Sequence, residues 1–229
     1  EIPDLPKKLT RNKNWQYSIG NRDLSKTKET VVHGMFFEQI FGDVLGYTSM
    51  VGNKNWNIKS FETSKSDSSV PDGVLGFFSS NSSDIHAVIE LKDAKTDLDK
   101  KQIGRTIPLT PVEQGFSYAP KAGGHCRWVI ISNFREIRLY HHSNIMEYEK
   151  FDMMSLSDEK EFKRFYWLLC CRNMIHPNGE SNIDALYGQS ETQEQDISKE
   201  LYRQYRQARL DIFEELKQNN PYRQKKKKK

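Results

Sequence analysis

Three cysteines in 229 residues, Cys126 and the adjacent Cys170 and Cys171, are too few and too irregularly placed for a disulfide framework. No Cys-x-x-Cys is present to hold zinc, and His33, His86, His125, His141, His142 and His176 show no His-x-x-x-His spacing. Cys126 has no partner in its neighbourhood to make it a nucleophile. No apolar run approaches the roughly 20 residues of a membrane span, and the N-terminus carries no signal-peptide pattern. These absences lead to the expectation of a cytoplasmic chain with no membrane partner. Residue 1 is Glu rather than Met, as expected of a piece of a longer protein. Charge of one sign is scarce too. The net charge of +4 includes the five lysines Lys225–Lys229, and without them the rest stands at −1. The body therefore offers no broad basic patch for nucleic acid. The lysine run is read as an appended or flexible end, with non-specific phosphate binding as the alternative. Internal repeats and long heptads are absent as well.

Aromatic residues are well represented, with 4 Trp, 12 Phe and 10 Tyr, enough for a packed core rather than a disordered chain. Residues 1–25 are polar and read as an N-terminal arm or a short first helix. Lys26 to Leu45 is helical and apolar nearly all round, which marks a buried helix, and Gly46 is a plausible stop. Extended segments follow near 55–62, 72–78 and 85–92, separated by the polar stretches Thr63–Ser69 and Ser79–Ser83. Thr110-Pro111-Val112-Glu113 is a capping-box signature for a helix running to about Lys121. Arg127–Ser132 and Glu136–His141 read as strands joined at Asn133-Phe134-Arg135, followed by a strand over Met146–Phe151 and a helix over Asp158–Arg172. From about Asp184 to Asn219 the chain turns polar and helical with a sparse apolar stripe. The expected fold is α/β: a central mixed β-sheet flanked by helices, with a C-terminal helical connector. The expected division is 1–25 arm, 26–180 core domain and 181–229 connector with basic tail.

The chemistry gathers on the second and third extended segments. Alternation along Ile85–Lys92 puts His86, Val88, Glu90 and Lys92 on one face, with the charged pair ending an otherwise apolar strand. Burying either charge alone is costly, so the pair needs a reason. An isolated Glu-x-Lys is most often a solvated strand end. Upstream, however, Pro71-Asp72-Gly73 sets a second carboxylate at the mouth of another apolar strand. If the two strands form a hairpin, Asp72 and Glu90 converge, and two carboxylates with a backbone carbonyl make a hard-oxygen site suited to Mg²⁺. Lys92 beside them could stabilise a hydroxide or a phosphate oxyanion. On the long helix, Glu38 lies between Val31 and Leu45, seven residues from each, as a carboxylate among apolar neighbours. A buried salt bridge or plain solvent exposure remains open for it. On the capped helix, Gln114 and Tyr118 share a face, four residues apart, which is otherwise an ordinary polar helix face. His86 is read as a structural histidine. Lys95 and Arg105, after the strand, are solvated loop charges or phosphate contacts.

Pro71-Asp72 followed by Glu90-Leu91-Lys92 resembles the PD-(D/E)xK nuclease superfamily. The run Glu90–Ala94, Thr110–Ala119, Trp128–Phe134 and Ile137–Tyr140 looks like the N-terminal nuclease portion of fused restriction–methylation enzymes of the type IIG class. Residues 201–216 are similar to the helical connector before their methyltransferase domain. The resemblance implies a restriction-endonuclease-like fold and Mg²⁺-dependent hydrolysis of double-stranded DNA, with Mn²⁺ as a possible substitute. It implies that Asp72, Glu90 and the Leu91 carbonyl hold the metal, that Glu38 joins them, that Lys92 polarises the attacking water and that Gln114 fixes the geometry. Products would carry 5′-phosphate and 3′-hydroxyl ends. No Gly-rich S-adenosylmethionine loop is present, and Asn219-Asn220-Pro221-Tyr222 lacks the second Pro and preceding strand of a methyltransferase motif. Sequence recognition would then come from a methyltransferase and target-recognition region fused elsewhere in the full-length protein. A double-strand cut from one active site needs two passes or a transient dimer. The competing expectation is a catalytically silent nuclease-fold module that binds DNA or another partner.

Overall fold

In a computed structural model the described residues are 1–219, without 22–23, 25, 62–69, 103–107 and 178. The spacer Thr63–Ser69, Arg105, the Asn220-Pro221-Tyr222 part of the methyltransferase-like run and the lysines Lys225–Lys229 lie outside them. The chain divides into two compact units, Glu1–Asn182 and Ile183–Lys229.

The first unit is built on a six-stranded sheet whose strands neighbour one another in chain order. They are β1 (Trp56–Ser60), β2 (Gly73–Phe78), β3 (Ser83–Leu91), β4 (Trp128–Ser132), β5 (Glu136–His141) and β6 (Glu149–Asp152). Every pairing is antiparallel except β3 with β4, which run parallel from Ala87↔Trp128 to Leu91↔Ser132. A parallel pair needs a crossover of a dozen or more residues. The segment between Leu91 and Trp128, carrying α3 (Pro111–Phe116), is that crossover. The sheet is thus mixed, as the alternation of elements predicts.

Burial on both faces follows from the strand sequences. Val88 and Val129 on one face pack with Val74, Phe78, Ile131, Tyr140 and the crossover residues Leu98, Val112, Tyr118 and Ala119. The intervening Leu75, Ala87, Ile89, Leu91, Ile130 and Leu139 are also buried, on the other face. Near that end of the sheet, α2 (Glu29–Phe36) and its π-helical continuation Phe37–Val44 bring the Phe37 ring over Gly73. A Cβ at Gly73 would lie 2.6 Å from that ring, so only glycine admits it. Gly46 ends the helix with φ +83, the left-handed conformation a glycine adopts without strain.

Of the two readings of residues 1–25, an arm or a short first helix, the helix is the one found. It is α1 (Leu5–Gly20), with Trp15 buried and its indole donating to the Phe134 carbonyl at 3.1 Å. Asn12 donates to the Leu156 carbonyl at 3.0 Å. Long-range bonds from scattered polar side chains carry no local sequence signal, which is why this helix looks like a polar appendage. The capping box on α3 is present, with Thr110 accepting from the Glu113 N–H and Glu113 accepting from the Thr110 N–H. The helix stops at Phe116 rather than near Lys121, and a 3₁₀ turn covers Ala119–Lys121. Likewise α4 (Glu159–Leu169) ends at Cys170, and a separate turn, α5 (Cys171–Met174), follows.

α6 (Asn182–Asn219) accounts for the described part of the second unit. Leu201, Tyr202, Tyr205, Leu210, Phe213 and Leu216 are all exposed along it. No helix among the described residues is long and apolar enough to cross a membrane.

Candidate active site

The β2–β3 hairpin brings the two carboxylates of the Pro-Asp and Glu-x-Lys segments to one end of the sheet. Its register pairs Gly73 with Ile89 and Val74 with Val88, and one further step sets Asp72 opposite Glu90. Both are buried, Asp72 at 6% and Glu90 at 1% exposure. The Asp72 carboxylate accepts the Leu91 N–H at 2.7 Å. In an extended strand a residue's N–H and C=O point to the same edge. The Leu91 carbonyl therefore faces the side on which Asp72 lies. The following N–H, of Lys92, turns the other way and donates to the Ser132 carbonyl at 2.8 Å, as strand alternation requires. Lys92 folds its ammonium back onto Glu90 as an ion pair, itself mostly buried.

Glu90 is held in place from the α3 side. A Cβ at Gly115 would lie 3.6 Å from the Glu90 Cβ and only 2.2 Å from Ile131 Cδ1. Glycine thus lets the helix settle directly on β3 and β4. The neighbouring Gln114 is buried, donates to the Tyr118 hydroxyl at 2.7 Å and accepts from Gln102 at 3.0 Å. Gln114 and Tyr118 do share a face, but it is an interior one, and Tyr118 belongs to the core. With both ends of its amide engaged, Gln114 stiffens the helix beside Glu90.

Glu38 does not join this cluster. It is exposed on the π-helical stretch, and no hydrogen bond or ion pair links it to Asp72 or Glu90. A helical wheel does set Glu38 beside Val31, but Val31 is itself 50% exposed, so that face of the helix is open to solvent rather than buried. Upstream on α2 it is His33 that approaches Asp72, with Glu29 behind it. His33 Nδ1 lies 3.8 Å from an Asp72 carboxylate oxygen, and His33 Nε2 lies 3.7 Å from Glu29. The sequence signal for them was the i,i+4 spacing on the first turns of α2, visible only once the hairpin is known to abut that helix.

The electrostatics are set by burial and by the neighbouring charges of His33 and Lys92. Burial pushes the Asp72 carboxyl above the ordinary aspartate range. The Leu91 N–H and the charges of His33 and Lys92 pull it back only in part. Glu29 sits below the usual range, held there by His33 first and then by Lys92. Among the described residues the buried His33 Nε2 has Glu29 as its nearest ionic neighbour, at 3.7 Å, beyond hydrogen-bond distance. A raised buried carboxylate, a second buried carboxylate and a carbonyl edge together fit a hydrated hard cation, which would offset the desolvation of Asp72.

The remaining candidates fall elsewhere. Lys95 is exposed and, with Arg135, contributes the charged lining of an open groove beside the loop that leaves β3. His86 lies at the opposite end of β3 from Glu90, against Asp84 and His125. No family model, curated protein or solved structure matches the chain.

Proposed function

We propose that this chain is the Mg²⁺-dependent endonuclease module of a cytoplasmic restriction–modification enzyme, a type II phosphodiesterase acting on double-stranded DNA. The observation that carries the proposal is the convergence of buried Asp72 and buried Glu90 at one sheet end, with Lys92 fixed on Glu90. Asp72, Glu90 and the Leu91 carbonyl would hold the ion. Bound there, Mg²⁺ supplies Lewis-acid stabilisation of phosphate charge and a more acidic water. The chain's own groups do the rest. The Leu91 N–H anchors one oxygen of Asp72, and the other lies 3.8 Å from His33 Nδ1. Lys92, aligned by Glu90, places a cation where negative charge develops on the attacked phosphate. Gln114, held by Tyr118 and Gln102, keeps α3 and hence Glu90 from shifting. His33, bridging Glu29 and Asp72, offers a ring nitrogen to a site water. Lys95 and Arg135 line a groove that suits a phosphate backbone. Choice of DNA sequence would fall to a fused methyltransferase and target-recognition region, and double-strand cleavage to a transient dimer.

The test is nicking of supercoiled plasmid by the chain with Mg²⁺ or Mn²⁺, beside Lys92→Ala and Asp72→Asn. Metal-dependent nicking lost in both variants is expected. Equal rates in all three proteins would overturn the catalytic reading in favour of a catalytically silent nuclease-fold module that binds DNA or another partner.

A further inference from the structure

The start of β3 carries a second cluster, chemically unlike the first. Asp84 and His86 lie on that strand, and His125 lies in the turn that precedes β4. The Asp84 carboxylate divides its two oxygens between the two rings, one 3.1 Å from His86 Nε2 and the other 2.8 Å from His125 Nδ1. All three donor atoms lie within 4.8 Å of one another. His86 is 2% exposed, and the edge of the Phe77 ring fixes its orientation at a centroid distance of 5.5 Å. His125 is open to solvent. Burial alone would push the Asp84 carboxyl up, but the hydrogen bonds from His125 and His86 outweigh it and hold the group below the usual range. The carboxylate is thus ionised and shared between two imidazoles.

We propose that Asp84, His86 and His125 form a transition-metal site, of the zinc class, separate from the Asp72–Glu90 cluster. Two imidazoles and one carboxylate are a donor set preferred by Zn²⁺ and its neighbours over Mg²⁺. Bonds of about 2.0–2.1 Å to each donor would set tetrahedral donors roughly 3.3 Å apart. The Asp84 contacts of 3.1 and 2.8 Å are already close to that, and the two rings, whose donors lie within 4.8 Å, close the remainder by movement of the exposed His125 ring. A solvent molecule on the open side completes the coordination. Binding displaces the protons that now bridge the rings to Asp84. His86 and Glu90 share a strand but stand four residues, hence about 13 Å, apart, with Val88 between them, so the two ions would be independent. The second one ties the start of β3 to the turn entering β4. These are the parallel neighbours that the long crossover must bring together, where loop closure costs most.

Titration of metal-free, untagged chain with Zn²⁺ by calorimetry tests the site, with Co²⁺ absorption as a second readout. One equivalent should bind, and Co²⁺ should show the intense visible bands of a low-coordinate nitrogen-containing site. His125→Ala, whose exposed side chain the fold does not need, should weaken binding more than the roughly 10–100-fold typical of losing a mere supporting partner. Asp84→Ala should do the same. Asp72→Asn should leave Zn²⁺ affinity intact, which separates this site from the proposed nuclease centre whatever the fate of that proposal. Full-affinity binding by His125→Ala, no saturation near one equivalent, or loss of the ion in Asp72→Asn would each overturn it.

Discussion

Consider Asp72→Asn in the metal-free protein. The carboxyl is buried and its ionisation is displaced upward by that burial. A carboxyl whose folded pKa lies above its unfolded value leaves stability unaffected at pH below both. As pH rises through the unfolded value and then the folded one, the unfolded state loses its proton first. Stability falls across that window and stays lower above it. At neutral pH, then, ionised Asp72 weighs against the fold. Each pH unit of upward displacement is worth about 1.4 kcal/mol. The isosteric amide removes that penalty and still presents an oxygen to the Leu91 N–H, 2.7 Å away in the wild type. A gain on the order of 1 kcal/mol raises the melting temperature of a chain of this size by roughly 2–4 °C.

Thermal unfolding followed by circular dichroism, with EDTA present, should therefore find Asp72→Asn more stable than wild type at pH 7. The difference should shrink towards zero as pH falls below the ordinary aspartate range. Adding Mg²⁺ should reverse the order. A ligand at 100 times its Kd stabilises by about 2.7 kcal/mol, and only the wild type has the carboxylate to bind it. The reasoning is refuted if the amide destabilises the chelated protein at pH 7, or if Mg²⁺ raises both melting temperatures equally.

Lys92→Met should be the most damaging change at the cluster. It strands Glu90, which is 1% exposed, without its cation, a loss that typically costs 3–5 kcal/mol. Urea denaturation would measure this cost. Glu38→Ala should move stability by less than about 0.5 kcal/mol and leave plasmid nicking unchanged, because the side chain is exposed and joins no ion pair. A drop in nicking with intact folding would restore it to the site. Gly115→Val should destabilise by about 1–3 kcal/mol through overpacking, since even a Cβ there meets Ile131 Cδ1 at 2.2 Å. Cys126, whose thiol burial pushes up to about 12, should resist alkylation at pH 8 in the folded protein and react on unfolding, as mass spectrometry would record.

Strands and capped helices were legible because local rules dictate them: alternation in β3, Thr110 with Glu113 at α3, Gly46 at a helix end. The approach of Asp72 to Glu90 was legible for the same reason, since a hairpin register propagates from the apolar residues that must face inward. What escaped was everything fixed by a neighbour distant in sequence. Glu29 and His33 become functional candidates only because α2 abuts the end of the hairpin. Glu38 leaves the site because the apolar neighbour that sets its face, Val31, is itself exposed, which an apolar side chain alone does not reveal. His125 and His86, separated by a crossover, meet at Asp84 with no spacing that a linear pattern could reveal. The burial of Gln114 escaped likewise, because its partner Gln102 comes from a loop rather than from the helix.

The distribution of cost across β3 bears on the choice between a nuclease and a catalytically silent module. A strand needing only to pack would carry apolar residues throughout, as Ala87, Val88 and Ile89 do. At its C-terminal end it instead buries Glu90, partners it with Lys92, and lends an N–H to Asp72, whose own ionisation is disfavoured there. Replacing a buried ion pair with apolar side chains is often neutral or stabilising, so stability does not account for its presence. Nor does partner binding, which favours groups that reach the surface. Here both carboxylates are withdrawn from solvent while one strand edge stays lined with oxygen. Two buried carboxylates at one sheet end would by themselves repel DNA phosphates. In the proposed reading a divalent cation offsets that repulsion, and the Mg²⁺ dependence of the Asp72→Asn comparison tests whether the Asp72 carboxylate is what binds it.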